Sequence, residues 1–279
     1  MNTWLIFGLL SYLSYAISTV IDKYFMNNGH HPASTNTFKM YFDGVILLLV
    51  GYVFFDLNFS LSILGWSFIL GVLYAISGII YFEVLKKKDV KVYVPYSQSA
   101  KILLTFIVSV IIFSEAVNVF NYLGVALILV GIYVVLSDNG FSMPKVDSAI
   151  LLVLLAVIFG TIYSVLVKKL LFNIKPIDLA ISMYFFSAIF MSIYLWYSKE
   201  KDLRLNDSKI IISAFFGAMG TFLLFCALEV GDAVKVFPMA GIQSVFVFII
   251  ASIFLKEKFY WHRLIGTIIV VGGIYFVSI

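Results

Sequence analysis

Ten apolar runs, separated by short polar connections, restrict this chain more than any other feature. They span about residues 3–26, 35–55, 62–85, 92–113, 118–137, 149–171, 177–197, 210–230, 236–255 and 260–279. Crossing a hydrocarbon core takes about 20 apolar residues, so every run is long enough to span. The connections, such as KKKDVK, SEAVN and GDAVK, leave no room for a soluble domain. Charged residues make up only 12% of the chain against 62% hydrophobic, and mean hydropathy is +1.06. Soluble domains carry about a quarter charged residues, so lipid is the expected solvent. Backbone groups in lipid must be satisfied within their own segment. Barrel strands would be about ten residues long with strict alternation, which these runs are not. The expected fold is therefore an all-α integral membrane protein with ten transmembrane helices.

Several classes of function are disfavoured on the same grounds. A single cysteine, Cys226, excludes a disulfide framework and a multi-cysteine metal site. The first run has no basic n-region and no small-residue cleavage site, so it is expected to be retained as a helix. The basic residues gather in short loops, giving no face for nucleic acid. His30 and His31 sit in a connection and His262 at a helix start, with no H-E-x-x-H, nucleophile elbow or phosphate loop. The chain is not expected to be an enzyme or to hold a cofactor or metal.

The runs also repeat. Asp89 to Lys101, DVKVYVPYSQSAK, returns as Asp232 to Ser244, DAVKVFPMAGIQS, so that Asp89 falls on Asp232, Phe82 on Phe225 and Pro95 on Pro238. Met40-Tyr41-Phe42 returns as Met183-Tyr184-Phe185, behind Pro32 and Pro176. Lys23 aligns with Lys169, and Glu115, Gly124 and Gly131 align with Glu257, Gly266 and Gly273. Five runs are thus followed by five more. The expected organisation is a first five-helix repeat over 1–137, a linker over 138–148 and a second repeat over 149–279. Because five is odd, the second copy must enter the membrane from the other side. The pair is then an inverted repeat, an architecture that places a substrate site near the midplane between the halves.

This arrangement resembles the drug/metabolite transporter superfamily, EamA type. The resemblance rests on five plus five short-looped helices, the proline-bearing fourth and ninth runs, and the acidic residue closing each of them in FSEAVN and FLKEKF. The glycines of the fifth and tenth runs fit it too. It implies that the first to fourth and sixth to ninth helices line a cavity, with the fifth and tenth peripheral. Two departures stand out. The glycine that commonly precedes the acidic residue is Ser114 in one half and Lys256 in the other, and the connection after the second run has no Lys or Arg. Loop charge places thirteen basic residues on the side away from the N-terminus and four on its own side. By the positive-inside rule both termini then lie outside, whereas the resemblance implies both inside.

Lys101 is the residue from which a site is expected. It falls near mid-membrane, where a lysine costs about 2.5–3.5 kcal/mol and so calls for a partner or a wet cavity. Gln98 and Ser97, three and four residues earlier, share its face, and Gln243 and Ser244 occupy the matching face of the ninth run. Asp43 lies at similar depth and offers an ion-pair partner for Lys101 and a proton carrier. Lys39, one turn before Asp43, could compete for it, and it stands where the resemblance places an arginine. Tyr15, Tyr81 and Tyr163 fall inside the first, third and sixth runs and are expected to wall a pocket. Pro95 and Pro238 interrupt backbone bonding and are hinge candidates.

The expected function is that of a secondary active transporter in the cell membrane. It would move a small polar or amphipathic metabolite, such as an amino acid, organic acid or zwitterion, by alternating access. No ATP-binding motif is present, so proton or counter-solute coupling is expected, in a monomer or weak dimer whose other partners are membrane lipids. The alternatives are an exporter of lipophilic cations and a non-transporting membrane scaffold. The first is disfavoured because the first run carries no acidic residue before Asp22.

Overall fold

A computed structural model describes residues 3–87, 90–136, 148–198, 208–254 and 261–279. Asp89, Glu257 and most of the expected linker lie outside these residues, as does the side chain of Pro95. The described chain is helical throughout: α1 (Thr3–Asn27), α2 (Pro32–Phe54), α3 (Leu61–Lys87), α4 (Val90–Phe113), α5 (Val119–Leu136), α6 (Ser148–Leu170), α7 (Pro176–Tyr197), α8 (Lys209–Val230), α9 (Ala233–Phe254) and α10 (Trp261–Ser278). Seven of these are long and apolar enough to cross a membrane, and apolar stretches at Ala100–Phe113, Val119–Val134 and Leu264–Val277 continue the pattern in the other three.

Local chemistry sets several ends. Pro32 and Pro176 each occupy the first turn of their helices, α2 and α7, where the missing N–H costs nothing. His31 caps α2 by accepting a hydrogen bond from the Ala33 N–H at 3.3 Å. α9 is not a uniform helix: an α turn at Ala233–Val236 passes into a 3-10 turn at Phe237–Ala240 and back to α-helix from Gly241. Pro238 lies in that 3-10 turn, where it removes a backbone donor.

The distribution of polarity is that of a protein solvated by lipid. Large apolar side chains such as Val53, Phe54, Ile111, Phe254 and Ile268 face outward, while Ser11, Asp22, Asn36, Asp43 and Thr221 are buried. Short polar side chains bind helices together through their neighbours' carbonyls. Ser11 Oγ donates to Gly220 O across α1 and α8 at 2.7 Å, and Ser187 Oγ donates to Gly71 O across α7 and α3 at 2.9 Å.

Helix packing is symmetric under exchange of the halves. α1 packs on α8 as α6 packs on α3, α2 on α8 as α7 on α3, and α1 on α9 as α6 on α4. The α2–α7, α4–α9 and α5–α10 contacts each map onto themselves. One bond is reproduced in both halves. Buried Lys23 at the end of α1 donates to Leu85 O in α3, and buried Lys168 at the end of α6 donates to Leu228 O in α8, both at 2.8 Å. The structural counterpart of Lys23 is thus Lys168, not Lys169, whose side chain is exposed. Only the buried lysine can reach the last carbonyls of the neighbouring helix.

α5 and α10 form a separate, tightly crossed pair. A Cβ on Gly124 would lie 2.6 Å from Gly273 O, and one on Gly131 would lie 2.7 Å from Gly266 O, so only glycine permits this approach. Gly272 meets nothing within 4 Å and has no part in it.

The acidic residue at the end of α4 has an equally local purpose. Glu115 accepts hydrogen bonds from the N–H groups of Ala233 and Val234, both at 2.8 Å. A carboxylate there satisfies two orphan donors and the positive end of the α9 dipole. Ser114, just before it, has φ +50°, a left-handed conformation that glycine adopts without strain.

Candidate functional site

A cavity of about 260 Å³ lies between the halves. α1, α2, α3, α4, α6, α8 and α9 contribute to its walls, while among the described residues none of α5, α7 or α10 does. The resemblance leads one to expect α7 there as well. Instead α7 acts from behind: Met183 Sδ accepts from the Tyr163 hydroxyl at 3.1 Å, and the Tyr184 hydroxyl lies 2.6 Å from Thr221 Oγ1.

Part of the cavity wall is aromatic. Tyr12, Tyr15, Tyr74 and Tyr163 line it, and their hydroxyls are not left unsatisfied. Tyr15 donates to Thr221 Oγ1 at 2.9 Å, Tyr74 lies 3.3 Å from the Tyr184 hydroxyl, and Tyr12 reaches Val236 O at 3.4 Å, beside the 3-10 turn of α9. These bonds hold the rings in place, and the rings pack on one another, Tyr12 against Tyr15 at 6.3 Å and Tyr74 against Tyr163 at 5.7 Å between centroids.

The acidic and basic residues of the lining come from α1, α2 and α4, with Asp43 and Lys101 midway along their helices. Lys39 Nζ bonds to Asp22 Oδ2 at 2.5 Å and to Ser18 Oγ at 2.7 Å. Asp22 also accepts from Ser213 Oγ at 2.5 Å and from the Tyr81 hydroxyl at 3.0 Å. Asp22 is therefore fully occupied. Asp43 is not. It is 1% exposed, its Oδ1 is buried without a hydrogen-bond partner, and no ion pair reaches it among the described residues. Lys101 also lines the cavity, and no hydrogen bond or ion pair to its Nζ forms among the described residues.

The expected pairing of Asp43 with Lys101 is thus not formed. Lys39 forms no ion pair with Asp43 either: its ammonium turns to Asp22 on α1, although its Cε and Asp43 Oδ1 both come within 3.2 Å of the point a Cβ would occupy at Gly217. A lysine one helical turn from a carboxylate has only modest local attraction to it. Asp22 offers Lys39 a short ion pair supported by two further hydroxyl donors.

Of the residues singled out from sequence, Tyr15, Lys39, Asp43, Tyr81, Ser97, Gln98, Lys101, Tyr163 and Gln243 all line the cavity. Gln98 Nε2 donates to Gln243 Oε1 at 2.7 Å, joining the two halves, and leaves Gln98 Oε1 buried without a partner. Ser244 and Pro238 are buried but are not part of the lining. Pro95 lies within α4, with its side chain outside the described residues.

The Ser244 expectation came from aligning Lys101 with Ser244. Measured from the bonded glutamines, three residues beyond Gln98 is Lys101, and three beyond Gln243 is Phe246. Phe246 packs against two hydrophobic clusters. Sequence reasoning also passed over Asp22, because a charge five residues from a helix end reads as interfacial. Its signal was Lys39, a second membrane-embedded charge in need of a partner.

The residues 2–137 and 147–279 match the model of the EamA-like transporter family. The chain belongs to this family. It is also similar to an uncharacterized protein of Methanocaldococcus jannaschii, 31% identical over 140 residues. That match takes in 48% of this chain and 98% of the relative. A solved crystal structure superposes with a TM-score of 0.77, covering 100% of this chain and 97% of the other at 14% identity, which establishes the fold alone.

Proposed function

We propose that this EamA-like protein is a secondary active transporter of the cell membrane that carries a small polar or amphipathic metabolite by alternating access. The observation that carries the reading is the cavity between the halves. In a chain whose outer face is apolar, four ionisable side chains, Asp22, Lys39, Asp43 and Lys101, turn inward to one space. Charges at membrane depth are costly and mark solute pathways.

An inverted repeat would supply the moving parts. The exchange-symmetric packing supports it, as does a relative whose entire length corresponds to about half of this chain. Rocking one half against the other would expose the cavity to each side in turn, with the 3-10 turn at Pro238 and the proline of α4 as flexing points. Asp43 and Lys39 are the proposed coupling groups. Because no Asp43–Lys101 pair exists to be broken, coupling would act through competition between a proton and the solute for Asp43.

An exporter of bulky lipophilic cations fits less well. The cavity volume is below the 300–1,000 Å³ typical of drug-sized sites, and the ammonium of Lys101 would repel such a ligand. The reading is tested by counterflow with the purified protein in liposomes, loading small polar solutes on one side. Exchange above protein-free vesicles, reduced by Lys101→Gln, is expected. A scaffold would exchange nothing, and an Asp43→Asn variant with unaltered pH dependence would remove the coupling role.

A further inference from the structure

We infer that Lys39 is a two-position gate: its ammonium holds one mouth of the cavity shut on Asp22 and falls back on Asp43 when that mouth opens. This rests on the transport reading and assigns residues to the alternation. The first reason is where the shut position sits. Asp22 is five residues before the end of α1 and Tyr81 six before the end of α3, while Lys39 is seven beyond the start of α2 and Ser213 four beyond the start of α8. They meet at one carboxylate, since Asp22 accepts from Lys39 Nζ, Ser213 Oγ and the Tyr81 hydroxyl. α1 and α2 each pack on α8, and Lys39 bridges the space between them. Four helices are tied together where α1 and α3 end and α2 and α8 begin. The cavity opens on that side only when the bridge parts.

The second reason is Asp43. Parting the bridge strands an ammonium in a low-dielectric site, which is costly without a new partner. Asp43 is four residues further along the same helix, so it travels with Lys39 wherever α1 goes, and the i,i+4 spacing brings the two side chains within reach. In the shut position this carboxylate is held in reserve: it is 1% exposed, and its Oδ1 is buried without a hydrogen-bond partner. Leaving an acceptor unsatisfied in this way is unfavourable, and a second resting place for the ammonium accounts for it.

Gly217 of α8 keeps the path clear. A Cβ there would lie 3.2 Å from both Lys39 Cε and Asp43 Oδ1, and 3.4 Å from Ser18 Oγ, which also accepts from Lys39 Nζ. A side chain at this position would crowd the space through which Nζ turns from one acid to the other. The second half does not repeat the device. The Lys23–Lys168 equivalence sets a spacing of 145 for α1 and α6, and Met40–Met183 sets 143 for α2 and α7. Asp22, Lys39 and Asp43 then fall on Val167, Ser182 and Phe186, which carry no charge to exchange.

The test reads opening as thiol modification in the full chain. Cys226→Ala removes the native thiol, and Ser164→Cys places one in the cavity wall. Ser164 follows Tyr163, whose ring packs on Tyr74, two turns of α3 before Tyr81, so the new thiol lies behind the bridge. Right-side-out and inside-out membrane vesicles are treated with a membrane-impermeant maleimide. Labelling of Asn28→Cys, exposed just past α1, identifies the preparation that presents the gated mouth. When closing is faster than modification, the rate follows the open population. Asp22→Asn removes a bond from the shut state alone and should raise the rate at least about tenfold, whereas Asp43→Asn removes one from the open state alone and should lower it by about the same factor. Carboxylates that merely held helices together would give shifts of one sign. In a Lys39→Met background both shifts should vanish. Should either asparagine variant fail to fold, Gly217→Ala, which crowds the turn and removes no charge, should slow modification by itself, and an unchanged rate there overturns the inference. So do shifts in the same direction, an unaltered rate in Asp43→Asn, or shifts that persist without Lys39; solute exchange in liposomes would then leave the transport reading standing. Opposite shifts in a protein that exchanges no solute would keep the gate and remove the transport reading.

Discussion

The two halves of the molecule share a skeleton and differ in charge. Lys23 and Lys168 make the same bond to equivalent carbonyls, and Gln98 and Gln243 meet each other between α4 and α9. Yet, among the described residues, each acidic or basic residue of the cavity lining belongs to the first half. At the spacings of their helices, Asp22 corresponds to Val167, Lys39 to Ser182, Asp43 to Phe186 and Lys101 to Phe246. Duplication can therefore preserve packing while the charged residues are confined to one copy.

The sharpest way to break this contrast is to alter matched positions. Lys101→Gln should weaken solute binding about 10- to 100-fold, the range for losing a charge-assisted hydrogen bond, whereas Phe246→Leu should leave it within about threefold. Titration by thermal shift or liposome uptake measures both, and equal losses would mean that the halves share the work. In stability rather than binding, the largest effect is expected at the α5–α10 crossing. Gly131→Val should destabilise by about 3 kcal/mol, because the facing atom is the Gly266 carbonyl and cannot turn aside. Gly272→Ala, with nothing within 4 Å, should be neutral or slightly stabilising.

A smaller effect tests the shared skeleton itself. Lys23→Met and Lys168→Met should each cost about 2 kcal/mol in thermal or denaturant unfolding, since each strands buried carbonyl oxygen. Lys168 should cost more, because it also donates to Gly231 O at 2.9 Å. A cost in only one half would show that the repeated bond is not equivalent. The smallest change is Ser114→Gly, expected to stabilise by about 1 kcal/mol through relief of its left-handed conformation. A loss of stability there would mean that the serine side chain earns its place by an interaction of its own.

Much of the cavity lining was legible before any coordinates. Lys101, Gln98 and Ser97 were grouped by helical spacing, and all three line the cavity, as do Asp43, Lys39 and three tyrosines singled out by depth. Helical spacing and burial depth are local quantities, so a linear chain displays them. Ser244 failed because alignment assumed one spacing throughout. The spacing is 143 at Leu85 and Leu228 and 145 at Gln98 and Gln243, and a slip of two residues turns a helix face by more than half a revolution.

By itself the amino-acid sequence determined the solvent, the helical class, the duplication and the depth of the embedded charges. Each follows from composition or periodicity, which hold wherever the helices sit. Only the tertiary structure decided which charges neutralise each other. Lys39 lies one turn from Asp43 in the chain and yet bonds to Asp22 across the cavity, where two further hydroxyl donors support the acid. Ion pairing depends on distance in space and on competition among neighbours, and neither is written into the order of residues along one helix.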